Sequence, residues 1–171
     1  MSPELMQAIL DADWPSAEAA AGVALPRFFR DERWGHLQYR LGLVRADPGA
    51  LPWLTRLMVC RQTPDHPTKT AFSRGPREAV GHIGFHEPPR AGRDWVEVGY
   101  TVFPEHRRQG YAEEAVRGLF GWAAQQGVHR FRASVGPWNQ PSLNLVRKLG
   151  LVQTGVQVDD IDGEELIFET G

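Results

Sequence analysis

The residues best suited to chemistry lie in PEHRRQGYAEEAV, Pro104 to Val116. Arg107, Arg108 and Gln109 set a dense group of hydrogen-bond donors directly ahead of Gly110. The apolar run WVEVGYTVF, residues 95–103, precedes them and a helical pattern follows. A helix N-terminus carries unpaired N–H groups and a partial positive charge. A glycine there lets a bulky anion approach the backbone, and the arginines add charge, so the stretch suits a phosphate. A surface-exposed basic turn in which Gly110 relieves strain fits the same residues. The stretch is not a P-loop, since no Gly-Lys-Ser/Thr follows, and not a dinucleotide fingerprint, since Gly-x-Gly-x-x-Gly is absent.

The elements that must position this turn follow from periodicity. Residues 3–50 read as helical and irregular, with short helices over Glu4–Leu10 and over Ser16–Val23, the second capped by Ser16. Arg27 to Leu43 is rich in aromatics and carries no clear strand. Strands are expected in WLTRLMVCRQ from Trp53, in AVGHIGFHE and in DWVEVGYTVF. In the third, Val96, Val98, Tyr100 and Val102 share one face, and Trp95, Glu97, Thr101 and Phe103 the other. TPDHPTKTAFSRGPRE, dense in Pro and Thr, reads as a loop. A helix runs from about Gln109 to Gln126, with Tyr111, Ala112, Ala115, Val116, Leu119, Phe120 and Ala123 as its apolar stripe. Glu113 and Arg117 form an i,i+4 pair on it, and Gly127 ends it. HRFRASVG is a strand, PSLNLVRKLG a short helix, and LVQTGVQVDD and EELIFET are final strands joined through an Asp162-Gly163 turn signal. The order from residue 53 is β-β-β-α-β-α-β-β. The fold class is therefore α/β (α+β): a mixed, mostly antiparallel central sheet with flanking helices and a helical N-terminal segment.

Bulk properties bound the function. At 171 residues, one domain over 1–171 is expected. A hydrophobic content of 42% permits a real core, and a net charge of −2 supplies no basic field for nucleic acid. The first twenty residues lack a basic start and an unbroken apolar run, so no signal peptide is expected, and no apolar stretch is long enough to span a membrane. A cytoplasmic protein is the expectation. The single cysteine, Cys60, excludes an intramolecular disulfide and a thiolate metal cluster, and reads as a buried core residue. His82 and His86 share a strand face but stand ~13 Å apart, too far for one metal, so no metal is expected. Asp159, Asp160, Asp162, Glu164 and Glu165 read as a solvated hairpin tip. Phe29 and Trp34 read as core, and Trp138 as a candidate for an acceptor pocket.

Arg107-Arg108-Gln109-Gly110-Tyr111-Ala112 resembles the Arg/Gln-x-x-Gly-x-Gly/Ala motif of the GNAT superfamily of N-acetyltransferases. VEVGYTVFPEHRRQGYAEEA is similar to the strand-turn-helix of the branch that contains the ribosomal-protein N-terminal acetyltransferases. Asn139-Gln140-Pro141-Ser142 with Leu149-Gly150-Leu151 resembles that branch's Asn-x-x-Ser and Lys-Leu-Gly-Phe segment, with Leu151 replacing Phe. The likeness spans about residues 53–169. The first fifty residues depart from the family's usual strand and two helices, in the region that helps build the acceptor side.

The resemblance implies acetyl-CoA as cosubstrate. Backbone N–H groups from Arg108 to Ala112 would hold its pyrophosphate. Its pantetheine would run between the strand ending Tyr100-Thr101-Val102 and the strand Phe131–Val135. An N–H near Val102 would polarise the thioester carbonyl. Glu97 matches the glutamate of the family's Glu-Ile-Gly-Tyr segment and is the candidate general base; a rim pair with an arginine is the alternative. Asn139 would bind pantetheine and Ser142 would serve the leaving sulfur; both also suit capping of the helix that follows. Lys148 would reach a nucleotide phosphate, or is an exposed helix lysine. The acceptor implied is an amine, on a protein N-terminus, a small molecule or an antibiotic. The alternative function is an inactive acyl-CoA-binding sensor or interaction protein. The C-terminal hairpin would expose a sheet edge, which raises the expectation of a homodimer.

Overall fold

The computed structural model of the chain describes residues 1–32, 34–60, 77–160 and 163–171. The Pro- and Thr-rich segment 63–76 and the first two residues of the Ile161-Asp162-Gly163 turn lie outside them.

Helix α1 spans Pro3–Leu10, and the Ser2 hydroxyl caps it by accepting from the Leu5 N–H at 3.3 Å. Helix α2 spans Trp14–Ala21 and corrects one expectation. Its cap is Asp13, whose carboxylate accepts from the Ser16 N–H at 3.2 Å; Ser16 lies inside the first turn. Pro15 favours that early start, because it needs no N–H and already has a helical φ. The aromatic stretch folds into α3, Arg27–Asp31, and α4, Gly35–Ala46.

The first strand is also shorter than its sequence suggests. Pro48–Trp53 forms a 3-10 turn, capped by Asp47 through the Gly49 N–H at 2.8 Å, and β1 covers only Arg56–Val59. Cys60, just past it, is half-buried rather than in the core. Then come β2 (Ala79–Phe85), β3 (Trp95–Val102), α5 (Tyr111–Gln125), β4 (Arg130–Val135), α6 (Gln140–Lys148), β5 (Val152–Asp159) and β6 (Gly163–Glu169). The element order matches the sequence reading throughout. Hydrogen bonding orders the strands β1-β2-β3-β4-β6-β5. Strands β3 and β4 pair in parallel, and β1–β2, β4–β6 and β5–β6 are antiparallel.

The chain divides into two compact units. One comprises Met1–Ile83 with Thr101–Gln109; the other comprises Gly84–Tyr100 with Gly110–Gly171. In the first, Leu5, Met6, Ile9, Leu37 and Leu41 pack around Phe29, whose ring lies 4.6 Å from Trp34 and edge-on to Phe103 at 5.9 Å. Phe29 and Trp34 are thus core residues, as read. Gly81 on β2 sits against β3: a Cβ there would lie 2.2 Å from the Thr101 carbonyl oxygen. Gly81→Ala is expected to destabilise the protein by about 3 kcal/mol, the upper end of overpacking. Thermal unfolding would read this as a fall of roughly 6–12 °C.

In the second unit, Phe131 of β4 stacks on Phe120 of α5 at 3.9 Å and beside Phe85 at 6.3 Å. Val96, Val98, Ala133, Val135 and Phe168 alternate into the same buried layer with Val116 and Leu119 of α5. The intervening residues of β3, β4, β5 and β6 form a polar opposite face. At the sheet edge, β5 leaves Val152, Val156 and Val158 exposed.

Candidate functional site

Between β3 and α5 the chain makes a backbone turn that needs two left-handed residues. Arg108 has φ 60° and Gly110 φ 87°. For a non-glycine residue such as Arg108 that region carries strain of about 1–2 kcal/mol. Two side chains brace the turn from within. Arg107 donates its Nε–H to the Val102 carbonyl at 3.1 Å, and Gln109 donates from Nε2 to the Glu105 carbonyl at 3.1 Å. The expected donors Arg107 and Gln109 are therefore engaged partly in building the loop, and Arg108 is exposed. Gly110 is the N-cap of α5, and no side chain caps that helix. A Cβ at Gly110 would meet nothing within 4 Å, so the space beside the turn is open. The helix stripe begins with half-buried Tyr111 and Ala112.

The pairing of β3 with β4 holds at Trp95↔Arg130, Val96↔Phe131 and Glu97↔Arg132. Past Glu97 the two strands share no further register partner, although β3 runs on to Val102 and β4 to Val135. Tyr100, Thr101 and Val102 lie in that unpaired stretch. On the side facing away from β2, the backbone groups of that stretch, apart from the Val102 carbonyl that accepts from Arg107, are open to an extended ligand in the way a sheet edge is.

Glu97 is half-buried on the polar face. Its Oε1 accepts from the Ser134 hydroxyl at 2.5 Å, the short distance of a charge-assisted bond. The arginine opposite it, Arg132, does not pair with it. Arg132 donates to Glu169 from Nε at 2.9 Å and from Nη2 at 2.8 Å, and its guanidinium stacks 3.9 Å over the Trp95 ring. The Arg132 hydrogen bond first, helped by Thr154, holds the Glu169 carboxyl below the usual carboxylate range. The arginine-paired alternative for Glu97 is not what the structure shows. Further along the same face, His86 stands over Gly99: a Cβ at Gly99 would lie 2.6 Å from the His86 Nε2.

Asn139 caps α6 by accepting from the Ser142 N–H at 3.3 Å, so its capping role is real. The half-buried Ser142 side chain acts on the Tyr100 phenol, although the two hydroxyls make no hydrogen bond of full geometry. Burial raises the Tyr100 pKa above its ordinary value, and Ser142 opposes part of that rise. The Tyr100 hydroxyl is buried and without a hydrogen-bond partner, a state that asks for a ligand. Lys148 donates to Glu113 at 2.6 Å, and Arg117 donates to the other Glu113 oxygen at 3.2 Å. These bonds, the Lys148 one foremost, hold the Glu113 carboxyl below its usual range. Lys148 is thus an exposed helix lysine tied to α5 one turn inside its N-terminus. Trp138 is 74% exposed and lies over Gly136. His106 is half-buried, with its Nε2 4.0 Å from a Glu78 carboxylate oxygen. Among the described residues no group of three or more His, Cys, Asp or Glu side chains is placed to hold a metal ion.

A family profile described as an acetyltransferase (GNAT) domain matches residues 15–152, most of the chain. The chain belongs to the GNAT acetyltransferase family. Its curated GNAT relatives include two from Bacillus subtilis, both named as uncharacterized N-acetyltransferases. YoaA is 36% identical over 85 residues, 48% of this chain and 47% of YoaA. YnaD is 30% identical over 77 residues, 44% of each chain. The chain spans about half the length of the curated relatives it matches. Among solved structures, the ribosomal-protein-S5-alanine acetyltransferase of Vibrio fischeri superposes over 99% of this chain and 89% of that one, with TM-score 0.62 and 18% identity. The microcin C7 self-immunity acetyltransferase MccE, solved with acetyl-CoA and AMP, superposes over 98% and 84%, with TM-score 0.57 and 14% identity. At such identities the likeness shows the GNAT fold alone.

Three features of the candidate site were not visible in the sequence. Ser134 as the partner of Glu97, and Gln157 behind it, depend on strand register, which alternation alone does not give. The only signal for Ser134 is its parity with Arg130 and Arg132 on the outward face of HRFRASV. The Tyr100 hydroxyl was masked by its backbone role in the family motif.

Proposed function

We propose that the protein transfers the acetyl group of acetyl-CoA directly to a primary amine within a ternary complex. The observation that carries this reading is the parting of β3 and β4 past Glu97↔Arg132, beside an α5 start that no side chain caps. Acetyl-CoA fits those features. Main-chain N–H groups of Arg108–Ala112 hold the pyrophosphate, with Arg107 and Arg108 adding charge. Pantetheine lies along the unpaired Tyr100–Val102 edge, with Asn139 at its side. Lys148 serves a phosphate only by leaving Glu113, so its contribution to affinity is small.

The amine must reach the thioester uncharged. Glu97 takes its proton, directly or through water; the nitrogen lone pair then bonds to the carbonyl carbon. The oxyanion is held by an N–H near Val102, the C–S bond breaks, and the leaving CoA thiolate takes the second proton that the attacking nitrogen still carries, relayed through the Tyr100 phenol, so that a neutral amide and the CoA thiol result. Ser142 and the Tyr100 phenol form the hydroxyl pair on the sulfur side. Burial keeps the phenol protonated, as a donor to a thiolate must be. Glu97 and Tyr100 are three residues apart on β3, ~10 Å of extended chain, which separates the proton acceptor from the donor. Ser142→Ala is expected to lower kcat about tenfold, near the worth of one or two neutral hydrogen bonds. Acetyl-CoA affinity should change less; the opposite split would assign Ser142 to binding alone.

Residues 1–171 act as one acyltransferase domain in this proposal, with 1–50 on the acceptor side. No helix among the described residues is long and apolar enough to cross a membrane, and we place the protein in the cytoplasm. The open β5 edge with its three exposed valines suits a homodimer. The acceptor is tested by following CoA thiol release with an alanine-starting peptide, spermidine and an aminoglycoside amine. Turnover of one of them well above acetyl-CoA hydrolysis supports the enzyme. Tight acetyl-CoA binding without turnover of any amine favours a sensor.

A further inference from the structure

We infer that Ser134 and Gln157 are positioning residues that hold the Glu97 carboxylate for proton abstraction, and that Trp95 and Glu169 keep the facing arginine away from it. The inference rests on the proposed role of Glu97 as base.

The hydrogen-bond directions in this network are forced by chemistry. Gln157 Nε2 lies 2.9 Å from Glu165 Oε2 and 3.1 Å from Ser134 Oγ. An ionised carboxylate only accepts, so the amide nitrogen, not the amide oxygen, faces Glu165. The second N–H of that nitrogen points at Ser134, whose oxygen accepts it. The single Ser134 hydrogen is then left for Glu97, 2.5 Å away. The chain Glu165, Gln157, Ser134, Glu97 crosses β6, β5, β4 and β3 with every donor assigned.

The consequence lies in what Glu97 has left. Among the described residues Ser134 is its hydrogen-bonding partner through Oε1. The side chain is therefore fixed in rotation, and Oε2 remains for the amine or a bridging water. A direct arginine partner would do the reverse: it would favour the ionised carboxylate and weaken it as a proton acceptor. Arg132 is the register partner of Glu97 and the obvious candidate for that pairing. Two N–H bonds to the single Glu169 oxygen Oε1 and the Trp95 face hold its guanidinium elsewhere, with Arg93 stacked on the same ring at 4.6 Å. A hydroxyl is a weaker partner than a guanidinium, so it orients the carboxylate without setting a full positive charge beside it.

The test uses the full chain, with acetyl-CoA and an alanine-starting peptide, and acetyl-CoA hydrolysis as the readout if that peptide is not turned over. Water must lose a proton as an amine must, so either nucleophile reports on Glu97. Ser134→Ala should lower kcat about tenfold while the KM for acetyl-CoA stays within about twofold. Ser134→Thr, which keeps the hydroxyl, should restore kcat to within about threefold of the parent. Gln157→Met, on the edge strand β5, frees the Ser134 hydroxyl to rotate and should lower kcat several-fold; it carries the test if Ser134→Ala does not fold. Parent-like kcat in Ser134→Ala and Gln157→Met, alongside a Glu97→Gln variant that has lost turnover, overturns the positioning role and leaves the base in place. Parent-like turnover in Glu97→Gln removes the base, and the positioning role with it.

Discussion

Glu97→Gln is expected to lower turnover by about 10²- to 10³-fold, the usual worth of a positioned general base. The substitution is nearly isosteric. The glutamine oxygen still accepts from the Ser134 hydroxyl, so the polar face of β3 and β4 keeps its geometry and only basicity is lost. Acetyl-CoA affinity should not move, because the expected pyrophosphate and pantetheine contacts lie past Tyr100. The size of the defect depends on the acceptor. An α-amine titrates near ~7.7–8 and is partly neutral at pH 7, whereas a lysine-like amine near ~10.4 is almost wholly charged. For an α-amine, raising the pH toward about 9 should therefore recover much of the lost rate; for a lysine or polyamine it should recover little. Parallel pH profiles of parent and variant read both the role of Glu97 and the class of its substrate. Unchanged turnover of the variant from about pH 6 to about pH 9 sinks the assignment.

Gly110→Trp should cost acetyl-CoA affinity at least about 100-fold, roughly the loss of several backbone–phosphate bonds. A side chain at Gly110 points into open space, with nothing within 4 Å of its Cβ, so the indole has room in the free protein. Its position is the one an anion at the α5 N-terminus would take. The φ of 87° adds strain of about 1–2 kcal/mol for any L side chain. Gly110→Ala separates the two effects, since it carries the strain without the bulk. We expect the alanine variant to lose some thermal stability yet keep most of its affinity. Equal losses in both variants would mean that turn geometry, not occupied space, governs binding. Retained affinity in Gly110→Trp would move the pyrophosphate elsewhere.

How far the sequence reached depended on the kind of signal. Apolar periodicity gave the element order from β1 to β6, because strand alternation and the α5 stripe are local patterns. The turn at Arg108–Gly110 was legible for a similar reason: glycine before a helix, after a strand, has few backbone explanations. Capping went wrong at Ser16 because two candidates lie three residues apart, and Pro15 decided for Asp13. Trp53 did not begin a strand because Pro48 and Pro52 favour a tight 3-10 turn, which apolar spacing does not distinguish. At the candidate site, the motif singled out Glu97, but its surroundings were not legible. Which residue of β4 or β5 stands beside it is set by register and by the bulge between Gln153 and Gly155. A one-residue slip would have put Ala133 or Val135 there instead of Ser134. The competition for Arg132 between Glu97 and Glu169 is likewise decided by β6, which the chain reaches only at its end.

The β5 edge, at the end of the sheet, is open to a second molecule. Val158 is 80% exposed, and Val156 lies beside it across Gln157. Sedimentation of the intact protein would show whether that edge is covered by another copy.

The measurement that bears most directly on the central claim is a calorimetric titration of the intact protein with acetyl-CoA. We expect one site per chain with a Kd in the micromolar range, about −8 kcal/mol, and weaker binding of pantetheine, which lacks the phosphates. Absence of binding would contradict the reading of the β3–α5 turn as a pyrophosphate cradle, and the proposed acetyl transfer would fall with it.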